Sequence, residues 1–192
     1  MARTPLTRHP SRHGFTLVEL MVVLVLAGVI MSIVAPRLEP GRWRTDSAVQ
    51  EVVVSLNAAQ RLAMLRQHDM VVTFQTNERR LRLLQDRNNN GAADTGEDVR
   101  VVELPETMGF GRGSAPQLGT EPEAVTFRIK DGAPTLIFHR NGSASESGQA
   151  YLKPMEGSMS LDVEAVRAIS VERSTGVVRC FSYRTTEWEG AC

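Results

Sequence analysis

The sequence predicts an α+β fold in which a long helical region at the N-terminus precedes an antiparallel β-sheet. Three observations predict this class. An apolar run covers residues 15–35, apolar residues recur at three- and four-residue spacing within 49–63, and several short β-rich segments follow residue 69. Because no helical pattern separates the strand candidates, we expect the strands to pair antiparallel.

The apolar run is long enough to cross a lipid bilayer. It contains 21 residues, which as an α-helix would span roughly 30 Å. The leader before it has no acidic residue and three arginines: Arg3, Arg8 and Arg12. This positive charge predicts that the N-terminus stays in the cytoplasm while the rest of the chain crosses the membrane. The prediction is weakened by three arginines beyond the run: Arg37, Arg42 and Arg44.

The processing signal lies before the apolar run, because no small-residue cleavage pattern follows it. A basic leader ending in Gly14, then Phe15-Thr16-Leu17-Val18-Glu19-Leu20, resembles the class III signal of type IV prepilins and type II secretion pseudopilins. The resemblance implies that prepilin peptidase cleaves between Gly14 and Phe15 and methylates the new amino group of Phe15. It also implies that Pro36 bends the helix.

Glu19 is the single charged residue within the apolar run. The resemblance identifies it as the intramembrane glutamate that pairs with the N-terminal amine of a neighbouring subunit during assembly. The physical argument agrees, because an unpaired carboxylate in hydrocarbon costs at least a few kcal/mol and a cation from another chain would relieve that cost. The alternative is a Glu19 that reaches the headgroups from one turn inside the membrane.

These features divide the chain into four predicted segments. A leader peptide covers 1–14, a transmembrane and assembly helix 15–36, an amphipathic helix 37–68, and a β-rich head 69–192. Pro40 and Gly41 should interrupt the helical region. Ser47 and Gln50 are spaced as a capping box from which the amphipathic helix would resume.

The head should contain a series of short strands joined by glycine turns. The strand candidates are 70–75, 81–85, 99–104, 125–129, 136–139, 151–153, 166–171 and 177–183. Turns such as Arg140-Asn141-Gly142 and Ser174-Thr175-Gly176 carry a glycine that can adopt positive φ. The order of elements, with segments 135–144 and 167–179, resembles the GspH/FimT branch of minor pseudopilins. That resemblance implies a type IV pilin-like fold, with a long N-terminal helix packed on the sheet.

This branch also includes minor pilins that bind DNA through a basic glycine-arginine turn near the C-terminus. The corresponding segment here is Gly176-Val177-Val178-Arg179, with valine at the first expected arginine. Affinity for nucleic acid grows with the number of neutralised phosphates. The sequence therefore disfavours nucleic-acid binding, and a membrane-anchored DNA-binding minor pilin acting in DNA uptake is kept as the alternative function.

An acidic loop matches the spacing of a calcium-binding loop at every specified position. The candidate ligands are Asp86, Asn88, Asn90, the carbonyl of Ala92, Asp94 and Glu97. The flanking segments read as strands and not as the helices of an EF-hand. The loop is therefore either a weak calcium site grafted onto a hairpin or a solvated turn, and no other cofactor is indicated.

Both cysteines, Cys180 and Cys192, lie near the C-terminus. On the far side of the membrane an oxidising compartment could join them, and the alternative is two reduced thiols. Loss of the leader would change the formal charge from zero to minus three, which does not indicate a general nucleic-acid binder. The length predicts one membrane helix and one modest domain.

No catalytic motif is recognisable, and His68 and His139 are isolated in sequence from metal-binding partners. The sequence predicts a non-enzymatic subunit of a type II secretion pseudopilus or type IV pilus, acting at the start or tip of the filament. Its partners would be other pilins or pseudopilins, prepilin peptidase and an inner-membrane assembly platform. It would lie in the inner membrane as a single-pass protein with a periplasmic head, and enter the filament on assembly.

Overall fold

The computed structural model describes residues 16–34, 40–155 and 163–190. The chain divides into two compact units, Met1–Glu39 and Pro40–Cys192. Four predicted features lie outside the described residues: the leader 1–14, the Gly14/Phe15 cleavage site with its methylation, the Pro36 bend, and Cys192.

The first unit contains helix α1, Leu17–Val34. Thr16 precedes it and forms its N-cap, since the Leu20 N–H donates to the Thr16 carbonyl oxygen at 3.1 Å and the Glu19 N–H donates to Thr16 Oγ1 at 3.2 Å. In the part of the chain that is described, no helix combines the length and hydropathy of a membrane span.

The second unit begins with helix α2, Pro40–Arg66. The predicted restart at Ser47 is wrong, because Pro40 and Gly41 already lie inside α2 and Ser47 is an interior residue. Proline is accommodated at the first helical position, where its missing N–H has no intrahelical partner to lose. The helix ends where Gln67 adopts a φ of 58° and its Nε2 donates to the Met64 carbonyl at 2.6 Å.

Ten strands follow in the described residues, arranged in two antiparallel sheets. The first sheet has the order β3-β2-β1-β6-β5. Its strands are β1 Asp69–Gln75, β2 Arg80–Asp86, β3 Val99–Glu103, β5 Ile129–Lys130 and β6 Ala133–Phe138. The second has the order β10-β9-β8-β7-β4. Its strands are β4 Met108–Phe110, β7 Gly148–Pro154, β8 Arg167–Val171, β9 Val178–Arg184 and β10 Glu187–Gly190.

Helix α2 packs against both sheets through one apolar face. Val52 and Leu56 of α2 are fully buried in a core shared with Phe74 and Leu136 of the first sheet and Ile169 of the second. The predicted helical stripe is therefore the core-facing side of α2. The predicted α+β class, with an N-terminal helix followed by antiparallel sheets, is confirmed.

Most predicted strands form close to the expected bounds, and one does not. The candidate at 125–129 contains only a bridge between Val125 and Ala150, with β5 starting at Ile129. The Thr126 N–H donates to the Gln149 carbonyl oxygen at 2.9 Å, so this segment runs antiparallel alongside β7 without forming a strand of its own. Strands β4 and β10 are absent from the prediction because both are short and contain glycine.

Candidate functional site

The carboxylate of Glu19 is available for a partner from another molecule. Glu19 is the third residue of α1 and its side chain is exposed. Among the described residues, none forms a hydrogen bond or an ion pair with this carboxylate. A negative charge in the first turn also suits the positive end of the helix dipole, so the position is favourable for α1 itself.

The surface of α1 is apolar and exposed from Leu17 to Ser32. Side chains from Thr16 to Ser32 are exposed, including Leu17 at 74% and Met31 at 66%. A helix that is apolar on all sides is stable only when lipid or other helices cover it. Helix α1 is therefore an exposed apolar surface with one acidic group, Glu19, in its first turn.

The acidic loop between β2 and β3 is closed by its own hydrogen bonds. Asp86 is 2% exposed, and its two carboxylate oxygens accept the N–H groups of Asn90 at 3.0 Å and Gly91 at 2.6 Å. Glu97 folds back to accept the N–H groups of Arg87 at 2.8 Å and Asp94 at 3.0 Å. The first and last predicted calcium ligands therefore organise the turn.

The middle of the same loop converges on Asp94. Its Oδ2 accepts the side-chain amides of Asn88 at 2.8 Å and Asn90 at 2.6 Å. These bonds, that of Asn88 first, hold the pKa of Asp94 below its usual value of 3.8. To bind calcium, Asn88 and Asn90 would have to point their amide oxygens, instead of their N–H groups, toward an ion shared with Asp94. No grouping of three acidic, histidine or cysteine side chains suited to a metal occurs in the described ranges.

Two glycine turns meet against α2, and a glutamine that sequence reasoning missed joins them. Gln60 Nε2 donates to the carbonyl oxygens of Gly142 at 2.8 Å and Thr175 at 2.7 Å. Gly142 and Gly176 have φ angles of 86° and 64°. A Cβ at Gly176 would lie 2.2 Å from the Gly142 carbonyl oxygen, so only glycine fits. These are the turns predicted from the two sequence segments, now placed side by side.

Two long-range polar pairs fix the sheets and were not visible in the sequence. His139 Nδ1 lies 2.9 Å from Asp69 Oδ2, which links the end of β6 to the start of β1. Arg167, with a side chain only 6% exposed, donates through Nε to Asp46 Oδ1 at 2.8 Å. Because each pair joins positions about 70 or more residues apart, no local pattern reveals it.

Comparison with known proteins identifies the family. A model of the prokaryotic N-terminal methylation motif matches residues 9–35. A model of the type II transport protein GspH matches residues 48–176, more than half of the chain. The chain belongs to the GspH family. The GspH match covers most of α2, all of the first sheet and the Gln60-linked turns.

Similar proteins include the pilin-like protein PilA1 of Thermus thermophilus, 30% identical over 115 residues, which are 59% of this chain and 69% of PilA1. Two solved structures of the minor pseudopilin EpsH from the type II secretion system of Vibrio cholerae also match, each with a TM-score of 0.46. One shares 18% identity and covers 71% of this chain and 94% of EpsH. The other shares 19% and covers 74% and 96%.

The C-terminal turn of this GspH-family chain carries little of the charge that DNA binding needs. Val177 is 41% exposed at the position where the resemblance expects arginine. Arg179 is exposed and could contact a phosphate. The positive charge of Arg184, on the same strand, is partly offset by Glu189 at 3.8 Å. The geometry adds no support for the DNA-uptake alternative.

Cys180 of β9 is disulfide-bonded. Cys192 is the other cysteine of the chain and lies outside the described residues, so the pairing of these two cysteines stays a prediction.

Proposed function

We propose that this GspH-family chain is a minor subunit of a type II secretion pseudopilus or a type IV pilus that acts at the start or tip of the filament. The proposal rests on one observation: two different family models match this chain, and each match falls on a different structural unit. The methylation motif, 9–35, covers the exposed apolar helix α1, and the GspH match, 48–176, covers most of the second unit, up to the turn before β9.

In the proposed mechanism, prepilin peptidase removes residues 1–14 on the cytoplasmic side and methylates the amino group of Phe15. Helix α1 stays in the inner membrane with the head in the periplasm. Lateral contact with sibling helices then brings the positive N-terminus of a neighbour to the Glu19 carboxylate. The attraction between the two charges is stronger in hydrocarbon than in water, because the dielectric constant is lower there. A Glu19 carboxylate without this partner would remain an isolated charge in the membrane, which is costly.

The remaining roles follow from this assembly function. An inner-membrane platform would receive the subunit, and the work of the head would be packing rather than chemical turnover. A packing role is supported by the described residues, since both sheets share a core with α2 and Gln60 of α2 bonds to both glycine turns. We propose that the chain has no catalytic activity.

Calcium binding by the acidic loop is a separate proposal. Its support is the exact ligand spacing, which brings Asn88, Asn90 and Asp94 together. Binding would require both asparagine side chains to turn so that their oxygens, and not their N–H groups, point toward the ion. Because asparagine stands at two ligand positions, the loop offers less negative charge than strong calcium sites do, and its affinity should be weak.

Substitution of Glu19 by glutamine and by alanine tests the proposed assembly role. Glutamine can replace glutamate at the third position of a capped helix, so it retains any role in helix capping but cannot neutralise an amine. We expect both variants to be processed and inserted yet to lose incorporation into filaments, measured by sedimentation of sheared filaments and by co-purification of sibling subunits.

Glu123→Gln, an exposed change in the head, is the matched control and should assemble normally. Normal assembly of Glu19→Gln would contradict the pairing role, because the charge would then be dispensable. Failure of the control would show that assembly responds to any loss of negative charge, and would equally contradict the assignment to Glu19.

A further inference from the structure

Strand β3 forms an open edge of the first sheet. It is the last strand in the order β3-β2-β1-β6-β5, and among the described strands it pairs with β2 alone. An edge strand whose N–H and C=O groups are unpaired is a template for a strand from another chain. The free side of β3 is therefore a place where a further strand can be added.

The register between β2 and β3 shows which backbone groups face outward. At one end of the ladder the Gln85 N–H donates to the Asp98 carbonyl oxygen at 2.9 Å. Hydrogen-bonded and non-bonded pairs alternate along an antiparallel ladder, so the even-numbered residues of β3 bond to β2. Val99, Val101 and Glu103 direct their backbone groups away from β2, where no described residue bonds to them.

The other edge strands in the described sheets are shorter or better protected. Strand β5 has two residues, and β4 has three, one of them glycine. Strand β10 has four residues, of which Glu187 and Glu189 are exposed acids. Proteins commonly protect sheet edges by short length and by charge. Strand β3 has five residues, and its Val99 and Val101 are 45% and 44% exposed, so it is the most suitable of the four to accept a strand.

The side chains of β3 define what an added strand needs. Val99 and Val101 lie on one face of the sheet, and Arg100 between them lies on the other. Arg100 is exposed and has no ion-pair partner among the described residues. An added strand with apolar residues opposite the two valines and an acid opposite Arg100 would complement this edge. A basic residue opposite Glu103 would extend the pattern.

We propose that the free edge of β3 binds an extended segment of another protein as an additional antiparallel strand, with the pattern apolar–acidic–apolar opposite Val101, Arg100 and Val99. The direction agrees with the strand pairs in both described sheets, which are antiparallel. Backbone hydrogen bonds would supply affinity, and the alternating side chains would supply specificity. The contact uses the head alone, so this inference goes beyond the proposed assembly role of α1 and does not depend on it.

A second copy of β3 fits this edge less well. One antiparallel register of two β3 strands sets Arg100 opposite an acid, Asp98. However, Asp98 already pairs with Arg87 at 2.9 Å. The same register places Val101 and Glu103 opposite the acidic loop instead of a strand. A separate protein is therefore the better occupant.

Binding of synthetic peptides to the full-length chain in detergent micelles tests the proposal. The probe is a fluorescent nine-residue peptide with lysine, threonine, valine, glutamate and valine in this order at its centre, and fluorescence anisotropy measures its dissociation constant. A matched pair of peptides carries N-methyl groups either on both valines or on the glutamate.

In the proposed register the valine N–H groups of the peptide bond to β3, while the glutamate N–H faces away. N-methylation of both valines should therefore weaken binding at least about ten-fold, as expected for the loss of two hydrogen bonds. N-methylation of the glutamate should leave binding nearly unchanged. Equal effects of the two modifications would overturn the proposal, as would tighter binding of a peptide with the sequence of residues 98–104, which would identify a second copy as the occupant.

Two substitutions on β3 test the edge and its charge. Val101→Pro removes an outward N–H and no bond to β2, and proline is tolerated on such edges. It should abolish binding while the urea midpoint of unfolding stays near that of the wild type. If it unfolds the head instead, the N-methylated peptides decide on the wild-type chain.

Arg100→Glu should weaken binding of the probe about two- to five-fold, as expected for one cross-strand pair of charges. A peptide with lysine in place of the glutamate should bind this variant more tightly than it binds the wild type. Wild-type affinity of Val101→Pro for the probe, or the absence of this charge preference, would contradict the proposed strand addition.

Discussion

Replacement of Gly176 by alanine should destabilise the head more than the same change at another glycine of similar backbone conformation. Gly176 has a φ of 64°, and a Cβ there would lie 2.2 Å from the Gly142 carbonyl oxygen and 2.5 Å from Gln60 Nε2. At such distances the two turns must separate, and the Gln60 side chain must leave at least one of its acceptors.

The size of the effect has two parts. Placing alanine in the left-handed region costs about 1–2 kcal/mol. Loss of one or both hydrogen bonds from Gln60 removes about 1 kcal/mol each. We therefore expect Gly176→Ala to lower the free energy of unfolding by about 2–4 kcal/mol.

Urea unfolding of the purified full-length chain, followed by tryptophan fluorescence, measures the change. The matched control is Gly132→Ala, because Gly132 has a φ of 84° and nothing within 4 Å of its Cβ position. It should lose only the conformational part, about 1–2 kcal/mol. Equal losses at Gly176 and Gly132 would refute the conclusion that Gln60 and the two turns form one packed unit.

Three further changes test other parts of the head. Asp46→Ala should lower the free energy of unfolding by about 1–2 kcal/mol, measured by urea unfolding, because the buried Arg167 guanidinium loses its carboxylate partner. Asp86→Ala should abolish the heat of calcium binding in isothermal titration, because it removes the first ligand of the loop. Asn88→Ala should raise the pKa of Asp94, measured by NMR, because the largest cause of its lowered pKa is removed.

Each of these predictions has a control or a contradicting result. Arg184→Ala removes an exposed pair at 3.8 Å and should cost less than about 0.5 kcal/mol, so an equal loss would contradict the role of burial at Arg167. Equal calcium heats in the wild type and Asp86→Ala would identify the loop as a plain turn. An unchanged Asp94 pKa in Asn88→Ala would contradict the proposed cause.

The lowered pKa of Asp94 also fixes the sign of its pH dependence. Because the folded pKa lies below the unfolded value, ionised Asp94 contributes stability above the usual aspartate pKa. That contribution is lost as the pH falls through the folded pKa.

Local patterns predicted much of the fold. The strands β1, β2, β8 and β9 were recognisable because apolar and β-branched residues recur within each of them. The core face of α2 was recognisable because its apolar residues recur at three- and four-residue spacing. In the structure the sheets cover that face.

Where local rules compete, one prediction was wrong. Proline suits a first helical turn as well as a break, and whether the helical region is interrupted just before Pro40 lies outside the described residues. The Ser47 and Gln50 spacing fits a capping box, but the packing of Ala48 and Val49 on the sheets extends the helix past it. Tertiary burial outweighed the local capping preference.

Long-range polar contacts could not be predicted from one sequence. Gln60 reaches turns 82 and 115 residues away, and Arg167 reaches Asp46 across 121 residues. These contacts depend on how α2 lies across both sheets, which no window of sequence contains. The hydrogen bonds within the acidic loop are local by contrast, since each joins residues within about ten positions, and calcium binding by that loop stays a prediction.

Mass spectrometry of the protein extracted from membranes tests the central claim most directly. We predict a mature chain that begins at Phe15, carries one methyl group on its α-amine and retains Glu19 four residues further on. A chain that begins at Met1, or one cleaved after residue 35, would contradict the assignment of this protein as a processed filament subunit.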